Sequence, residues 1–524
     1  MSALENLLVD RPSPMLADSA DLTSLPAALL RLQTPPPLQT RLRPLPTLQA
    51  LCLQAVCDRC RRRPLEPGPH WGLGDLPPPL ARLAADTLWA DLPPLDSGDP
   101  EEAEDLALLA EAVVTRHTRI GWLRPNDSTE TVRRLARALR RRPAELREVH
   151  IRSAVSHRLV DVFLDEFLSE PATGLHVIAG RPPLDDCRTL IEACPSLTHL
   201  YGRTPTQFSL EQLRSQILTC VDLETNVTVD LRVVTDCTPA LRRLRVATWY
   251  KCSPSRRPLL LAPVEAAGAP CCPRLEELEV SGYQLGASLQ ARLPQLRALS
   301  LVRCSAPLAG LFGHPELRRL KLQNVDSDGG ALPPGAELPQ LAELELHTAW
   351  GGRRRIDVSA VNACCPALRR LTLRPDYYQL VRGGPAGARG WFPHLEELTV
   401  LWLTEDCCPP EALFGDPLPR LRHLTMRRHC WLFADLLSES CPQLETLDLT
   451  SAKAGPAGAP LRRVRRLVAR LCAERNIRDI CERLPELRQA EIHLGYVDHM
   501  VAAGYRRLVD QLTERGVQVT VVED

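Results

Sequence analysis

Cysteine is the residue type with the most evident chemical potential in this chain. Nineteen cysteines occur, and Cys57-Asp-Arg-Cys60 has the spacing of half a zinc site or of a redox pair. Three doublets follow: Cys271-Cys272, Cys364-Cys365 and Cys407-Cys408. No second Cys-x-x-Cys pair stands at zinc-finger distance from the first, and a structural thiol is the simpler interpretation of each cysteine. We therefore predict no metal site and no catalytic cysteine.

Other catalytic motifs are also missing from the sequence. It contains no glycine loop of the phosphate-binding type, no His-Glu-x-x-His and no nucleophile elbow. We expect no catalytic residue and no cofactor, and we predict that the protein is not an enzyme. The remaining chemistry is that of binding.

Arginine provides that binding chemistry. Two doublets, Arg318-Arg319 and Arg369-Arg370, lie between repeated leucines, where strand side chains alternate between core and surface. These four arginines are our candidate substrate-binding residues, because a guanidinium recognises carboxylates well. Neighbouring repeats carry glutamates at the same positions, as in Glu396-Glu397. Cross-strand charge pairing is therefore the alternative interpretation of each of these residues.

The arginine doublets belong to a repeated segment, Pro-x-Leu-x-x-Leu-x-Leu. Its clearest copy is Cys365-Pro-Ala-Leu-Arg-Arg-Leu-Thr-Leu373. The last two leucines, two residues apart, indicate a strand with one buried face. The prolines of the main copies are Pro273, Pro294, Pro315, Pro339, Pro366, Pro393, Pro419 and Pro442. Their intervals of 21 to 27 residues fall within the range of leucine-rich repeats.

Short amphipathic segments that end in Cys-Pro precede several copies, for example Val358-Ser-Ala-Val-Asn-Ala-Cys-Cys365. This arrangement resembles the cysteine-containing leucine-rich repeat of F-box and related substrate receptors. In this chain only Cys304 takes the cysteine's place at the ninth position of a full leucine pattern. The resemblance implies an α/β fold, a leucine-rich-repeat solenoid with a curved parallel sheet and short helices outside. A small helical N-terminal region precedes it.

A helical stripe near the N-terminus suggests an adaptor site. Thr47, Leu48, Cys52 and Val56 follow one another at helical spacing. This segment resembles a BC box, the helix by which substrate receptors bind elongin C. In that resemblance Leu48 is the anchor and Cys52 and Val56 pack beside it. The alternative from the residues alone is a helix that caps the apolar end of the solenoid.

A second segment follows, with Leu76, Pro77, Leu80 and Leu83 at the positions that matter. It is similar to a cullin box of the cullin-2 type, so these four residues are the predicted cullin contacts. The order of BC box, cullin box and repeats resembles the Zyg/Zer group of receptors. The same segment also resembles the opening of an F-box, which implies an F-box adaptor instead. Either resemblance implies a substrate receptor of a cullin–RING ubiquitin ligase with an unknown protein substrate; a leucine-rich-repeat scaffold without ligase connection is the alternative.

The sequence divides into five predicted regions. They are a low-complexity N-terminus (1–43), the adaptor-docking region (44–95), an acidic linker (96–105), a helical cap (106–142) and the solenoid (143–524). The arginine-rich stretch Arg137-Ala-Leu-Arg-Arg-Arg-Pro143 at the end of the cap invites a nucleic-acid interpretation, but aromatic residues are not interleaved with it.

Bulk charge and hydropathy restrict the partners. The formal net charge is +0, which argues against a dedicated nucleic-acid or membrane-surface protein. The first residues show no secretion signal, and no apolar run approaches membrane-spanning length. We expect no nucleic acid and no membrane among the partners, reduced thiols, and a cytoplasmic or nuclear location.

Overall fold

The fold is that of a computed structural model. Every residue that the structure describes lies in the unit Cys60–Asp524. The described residues are 81, 83–85, 87, 120–123, 128–140, 146–151, 157–180, 187–204, 209–225, 229–248, 258–259, 272–285, 293–305, 314–325, 337–347, 355–374, 379–382, 390–401, 410–427, 431–432, 434–454, 458–494 and 499–523.

One parallel sheet of seventeen strands runs through the described residues, and each strand pairs with the preceding and the following one. The strands are β1 (Ile120–Leu123), β2 (Glu148–Ile151), β3 (Val177–Gly180), β4 (His199–Arg203), β5 (Cys220–Glu224), β6 (Arg243–Ala247), β7 (Glu277–Ser281), β8 (Ala298–Val302), β9 (Arg319–Gln323), β10 (Glu343–His347), β11 (Arg370–Arg374), β12 (Glu397–Leu401), β13 (His423–Arg427), β14 (Thr446–Thr450), β15 (Arg466–Arg470), β16 (Gln489–Leu494) and β17 (Gln518–Glu523).

Short elements connect these strands. The helices are α1 (Thr129–Arg140), α2 (His157–Phe167), α3 (Cys187–Ala193), α4 (Leu231–Cys237), α5 (Val358–Cys364), α6 (Glu411–Phe414), α7 (Ala434–Ser440), α8 (Glu474–Glu482) and α9 (His499–Glu514), with a 3-10 turn at Leu210–Leu213. Three additional parallel pairs join Pro258–Leu259 with Gln284–Leu285, Arg355–Asp357 with Gln379–Val381, and Trp431–Leu432 with Lys453–Ala454.

The core follows directly from the repeated leucines. In most of the five-residue strands the second and fourth residues are buried and the other three are at least partly accessible, as in β8. The strands β5, β6 and β15 bury one or two further residues. The kernel's first leucine is buried too, as Leu296 shows at 1% exposure. Because the strands are in register, Leu299 pairs with Leu278 on one side and with Leu320 on the other. The leucines therefore stack into continuous buried columns, and each repeat buries its apolar face only against its neighbours.

Cysteine occupies the corner between helix and strand, as predicted. Cys365 follows α5 directly, its amide donates to the carbonyl of Val361 at 3.0 Å, and its side chain is 1% exposed. The carbonyl of Cys365 then accepts from the amide of Leu368 at 3.2 Å, with Pro366 at the second position of this tight turn. A small apolar side chain fits this crowded corner, which confirms the structural interpretation of this cysteine.

Several strands are followed directly by a residue in the left-handed backbone conformation. The residue directly after the strand has positive φ in five repeats: Gly282, Arg303, Asn324, Ser451 and Leu471. Its amide donates to a carbonyl of the next strand, as Asn324 does to His347 at 3.1 Å. The turn geometry imposes this positive φ, because four of the five residues carry a side chain that disfavours it.

The fold class predicted from the sequence is confirmed. The described part of the chain is an α/β leucine-rich-repeat solenoid. Its sheet begins at Ile120, within the segment 106–142 that the sequence predicts to be a helical cap, and α1 lies in the same segment. The strand Ile120–Leu123 carries no Pro-x-Leu kernel, so its role in the sheet was not evident from the repeat pattern.

Candidate binding face

The first, third and fifth residues of the strands form the polar face of the sheet, opposite the buried leucines. Parallel pairing in register aligns these residues into three columns that cross the strands about 4.8 Å apart. The first column runs, from β6 to β13, through Arg243, Glu277, Ala298, Arg319, Glu343, Arg370, Glu397 and His423. Its charges alternate along most of this length.

Glu277 makes the two shortest ion pairs among the described residues of this column. One carboxylate oxygen lies 2.6 Å from Nε of Arg243 on the adjacent strand. The other accepts a hydrogen bond from Nη2 of Arg319 at 2.7 Å. Arg319 lies two strands away and reaches across Ala298, whose side chain is too short to block it. The three charged side chains are between about a third and a little over half exposed, so each pair contributes only about 0–1 kcal/mol to stability.

The second predicted arginine doublet is paired as well. Nη1 of Arg370 lies 3.1 Å from Oε1 of Glu343, and its Nε lies 3.2 Å from Oε2 of Glu397. Arg369 precedes the strand and lies 3.8 Å from Oε1 of Glu396, with 66% of its side chain exposed. Arg369 is thus more accessible than Arg370 and more weakly held.

Arg318 is the fourth predicted substrate contact. It is exposed, and among the described residues no carboxylate lies within ion-pair distance of its side chain. Arg319 and Arg370 therefore belong to the ion pairs of the first column. Arg318 and Arg369 directly precede their strands and lie beside that column. Pairing and ligand recognition draw on the same guanidinium groups, so a ligand at Arg319 or Arg370 must compete with a glutamate.

The column formed by the third positions of the strands carries a second group of ion pairs. Arg245 lies 3.3 Å from Asp222 and 3.2 Å from Glu279, on the strands at either side. Further along, Oε1 of Glu345 lies 3.1 Å from Nζ of Lys321 and 2.6 Å from Nε2 of His347. The hydrogen bond from His347, more than the one from Lys321, holds the pKa of Glu345 below its ordinary value.

A groove of about 480 Å³ lies on this face over β8. Its floor is formed by the small side chains of Ala298 and Ser300. The glutamates of β7 line the groove on one side of β8 and Arg319 and Lys321 line it on the other, and further lining residues extend from β4 to β11. The sequence offered a signal for this groove, because β8 is the strand that places two small uncharged residues where its neighbours carry charges. We did not single out these residues as a site from the sequence.

The thiols of the described residues are all buried. The eleven cysteines concerned are Cys187, Cys194, Cys220, Cys237, Cys272, Cys304, Cys364, Cys365, Cys441, Cys472 and Cys481. Burial raises the pKa of Cys194, Cys365, Cys441 and Cys481 to about 12. A thiol with such a pKa stays protonated at neutral pH and is a poor nucleophile. Within the described residues, no group of three His, Cys, Asp or Glu side chains is placed to hold a metal ion.

Two cysteines have a distinct structural role. Cys304 donates weak hydrogen bonds to the carbonyls of Val280 and Val302, both at 3.3 Å. Cys472 has the same place in its own repeat and contacts the carbonyl of Arg470 at 3.3 Å. Cys304 completes a full leucine pattern, whereas Cys472 stands at the same place in an incomplete one. The sequence concealed Cys472 because its repeat has Val464 and Ala469 where leucines are expected.

Most of the predicted adaptor residues lie outside the described residues. These are Thr47, Leu48, Cys52, Val56, Leu76, Pro77 and Leu80. Leu83 is described: it is helical and 43% exposed, while Ala81, Ala84 and Ala85 on the same segment are fully buried. Leu83 is one of four large hydrophobic residues that are at least 39% exposed in the described part of the chain.

Two arginines at the end of α1 pack onto the neighbouring helix. Nε of Arg137 lies 3.1 Å from Oε1 of Glu166 on α2, and Nη1 of Arg140 donates to the carbonyl of Glu166 at 3.0 Å. The hydrogen bond from Arg137 lowers the pKa of Glu166. These two arginines connect α1 to α2.

No helix among the described residues is long and apolar enough to cross a membrane.

Comparison with known proteins does not assign this chain to a family. No protein-family profile matches the sequence, and no curated protein matches it. Among solved structures, the chain is similar to a chain of the "Crystal structure of mouse RP105/MD-1 complex". The two are 12% identical with a TM-score of 0.38, and the match covers 78% of this chain and 84% of that one. The assignment as a leucine-rich-repeat solenoid rests on the strand register and the repeat spacing described above.

Proposed function

We propose that the protein is a binding scaffold without catalytic activity of its own, and that its polar face holds a segment of a partner protein. The groove over Ala298 and Ser300 carries this proposal, because it is a concave site of about 480 Å³ with a small-residue floor between charged walls. The walls carry both signs of charge, so they fit a polar peptide that presents both signs.

The test is to fill the groove without disturbing the core. Ser300 points to the polar face, so a Ser300→Trp side chain would occupy the groove. Thr513→Trp is the matched control, since Thr513 is exposed on α9. Proteins recovered with the full chain and identified by mass spectrometry are compared for wild type and both variants. A partner that is lost with Ser300→Trp and kept with Thr513→Trp supports the proposal, and a partner set common to all three contradicts it.

A finer candidate is the substrate receptor of a cullin–RING ubiquitin ligase, acting in the cytoplasm or nucleus. In this proposal Leu48, Cys52 and Val56 bind elongin C, Leu83 contacts a cullin, and the solenoid holds the substrate near the ubiquitin-loaded enzyme by effective concentration. The exposure of Leu83 supports it, since an apolar side chain that remains accessible on a helix is typical of a partner contact.

Purified elongin C and a cullin-2-type cullin test this candidate directly. We expect the full chain to bind both, Leu48→Ala with Cys52→Ala to lose elongin C, and Leu83→Ala to weaken the cullin. Leu471→Ala is the control, because Leu471 is also an exposed leucine. If wild type binds neither protein, the ligase role is wrong while the scaffold proposal stands. If an F-box adaptor binds instead, the docking segment is an F-box.

A further inference from the structure

The turn that leads into β15 differs from the turns beside it. In this turn the amide of Val464 donates to the carbonyl of Leu461 at 3.4 Å, so Arg462 and Arg463 are its two central residues. The corresponding turns before β13, β14 and β16 have proline at the first central position: Pro419, Pro442 and Pro485. Proline suits this position because its ring fixes φ near the value that the turn requires. Arg462 therefore stands where the turn itself favours proline.

The contacts of Arg462 do not explain this exchange. Its side chain is exposed, and among the described residues it makes neither a hydrogen bond nor an ion pair. Its amide donates to no described acceptor either, so a proline would cost no hydrogen bond. Because arginine also leaves the unfolded chain more conformational freedom than proline does, local stability does not favour it here. Binding is the better explanation of this arginine.

Two further arginines lie side by side next to this turn. Arg465 directly precedes β15 and Arg488 directly precedes β16, and the amide of Arg488 donates to the carbonyl of Arg465 at 2.9 Å. The two chain segments are therefore neighbours, about 4.8 Å apart. Both side chains are exposed, and among the described residues no carboxylate lies within ion-pair distance of either. Like charges on neighbouring strands repel each other, and a bound anion would relieve that repulsion.

The acidic residues of this region do not neutralise the arginines. Glu445 precedes β14 and Glu486 lies in the turn before β16, and neither carboxylate is within ion-pair distance of a described cation. Arg463 donates to the side-chain oxygen of Gln443, which is an uncharged partner. Four exposed guanidinium groups thus have no carboxylate partner among the described residues. We call them the arginine cluster: Arg462, Arg463, Arg465 and Arg488.

A groove of about 440 Å³ adjoins the arginine cluster. It lies between the turn before β14 and the turn before β15, and Arg462 and Arg463 line it. Apolar residues form much of the remaining lining, among them Pro442 and Pro460, both of which are exposed. The groove therefore offers accessible apolar surface directly beside positive charge.

We propose that the arginine cluster and this groove bind an acidic segment of a partner protein. An apolar side chain of the segment occupies the groove, and glutamate or aspartate side chains on both sides of it bind the guanidinium groups. Bonds between a guanidinium and a carboxylate are charge-assisted and often bidentate, so they provide both affinity and orientation. No aromatic residue lines the groove, which favours a peptide over a single-stranded nucleic acid, whose bases need aromatic side chains for stacking.

This site is separate from the groove over β8 and does not depend on it. The arginine cluster lies at the turns and strand starts of the repeats around β15, whereas the groove over β8 lies on the polar face of the sheet. The two sites can therefore be tested independently.

Fluorescence polarisation of labelled synthetic peptides with the full chain tests the proposal. The probes have the cores Glu-Glu-Leu-Glu-Glu, Gln-Gln-Leu-Gln-Gln and Glu-Glu-Ser-Glu-Glu. We expect the first peptide to bind at least about 10-fold more tightly than the glutamine peptide, because the charge-assisted bonds are lost with the charges. It should bind at least about 3-fold more tightly than the serine peptide, because serine leaves the apolar groove unfilled.

Arg462 allows an unusual test, because proline is the residue of the neighbouring turns. Arg462→Pro should weaken the Glu-Glu-Leu-Glu-Glu peptide at least about 3-fold without lowering the melting temperature. Arg462→Gln, which keeps an unrestricted backbone, should weaken the peptide to a similar extent. A lower melting temperature for Arg462→Pro would show that the arginine has a structural role in the turn, which would overturn this part of the proposal.

Matched charge reversals locate the site. Arg465→Glu should weaken the peptide at least about 10-fold. The control is Arg274→Glu, since Arg274 is an exposed arginine at a central position of the equivalent turn before β7 and changes the net charge equally. Arg274→Glu and Ser300→Trp should both bind the peptide like wild type, and equal melting temperatures would show that the variants fold.

Several results would overturn the proposal. Equal weakening by Arg274→Glu and Arg465→Glu would indicate diffuse attraction and no defined site. Equal binding of the glutamine peptide, or no saturable binding of the Glu-Glu-Leu-Glu-Glu peptide, would refute recognition of carboxylates, and equal binding of the serine peptide would refute the role of the groove. A phosphoserine peptide or a single-stranded oligonucleotide that binds more tightly and depends on Arg465 would assign the surface to phosphate groups.

Discussion

Nη2 of Arg319 donates a hydrogen bond across Ala298 to Oε1 of Glu277, at 2.7 Å. The two residues are 42 apart in the chain and two strands apart in the sheet. The contact exists because the strand between them carries a methyl group where its neighbours carry charged side chains. Ala298 also leaves the space of the groove that we propose as a binding site. The Arg319–Glu277 contact and the access of a ligand to the groove therefore both depend on this residue.

A double-mutant cycle on Arg319→Ala and Glu277→Ala should give a coupling energy of about 0.5 kcal/mol in urea unfolding at low salt. The value is small because both side chains are partly exposed, and it should decrease in 1 M salt. The cycle of Arg319→Ala with Glu482→Ala, an exposed glutamate on α8, should be additive. Coupling of equal size in both cycles would show that the contact has no specific effect.

Asn362 should be far more important for stability. It is 9% exposed, its Nδ2 donates to the carbonyl of Gly390 at 3.0 Å, and its Oδ1 accepts from the amide of Phe392 at 2.7 Å. Asn362→Ala leaves both backbone groups without this partner and should lower the free energy of unfolding by about 2–3 kcal/mol. Gln511→Ala, an exposed amide on α9, should change it by less than about 0.5 kcal/mol. Similar losses in urea unfolding would contradict this role of Asn362.

Leu471 and Asn324 occupy equivalent turns and can be exchanged. Leu471 has φ of 51° and is 56% exposed, and Asn324 has φ of 55°. Asparagine tolerates positive φ better than leucine does. Leu471→Asn should therefore raise the free energy of unfolding by about 0.5–1 kcal/mol, and Asn324→Leu should lower it by a similar amount. Thermal and urea unfolding would measure both, and a loss of stability in both variants would refute this explanation.

Glu345 should make stability dependent on acid pH. Its pKa in the folded state is lower than the ordinary value of 4.5, chiefly because of the hydrogen bond with His347. The folded state thus binds fewer protons than the unfolded state, and the stabilisation is complete above about pH 4.5 and is lost as the pH falls through the lowered pKa. We expect Glu345→Gln to flatten the decrease in stability measured by urea unfolding between about pH 5 and pH 3.

The control for this effect is Glu397→Gln, a carboxylate of the same face that contacts Arg370. It should keep most of the wild-type slope between about pH 5 and pH 3. If Glu345→Gln shows the wild-type slope, the hydrogen bond with His347 does not contribute to acid stability.

The repeated elements could be predicted from the sequence because their causes are local. Leu371 and Leu373 are two residues apart, so they share a face of one strand, and Pro366 terminates the preceding helix whatever surrounds it. The corner cysteine Cys365 follows from the same reasoning, since a small apolar residue is needed there. The strand Ile120–Leu123 was not predicted, because its place in the sheet comes from pairing with β2 and not from its own sequence pattern.

The candidate binding surfaces required the tertiary structure. The spacing of 21 to 27 residues between repeats does not define which polar residues of different repeats lie side by side. Register decides that Arg319 meets Glu277, that Arg488 lies beside Arg465, and that Ala298 lies in a groove. The sequence by itself determined the buried columns, because burial depends on periodicity within one repeat. Only the stacking of repeats determined the polar face, because its pairs and open sites arise between residues that are distant in the chain.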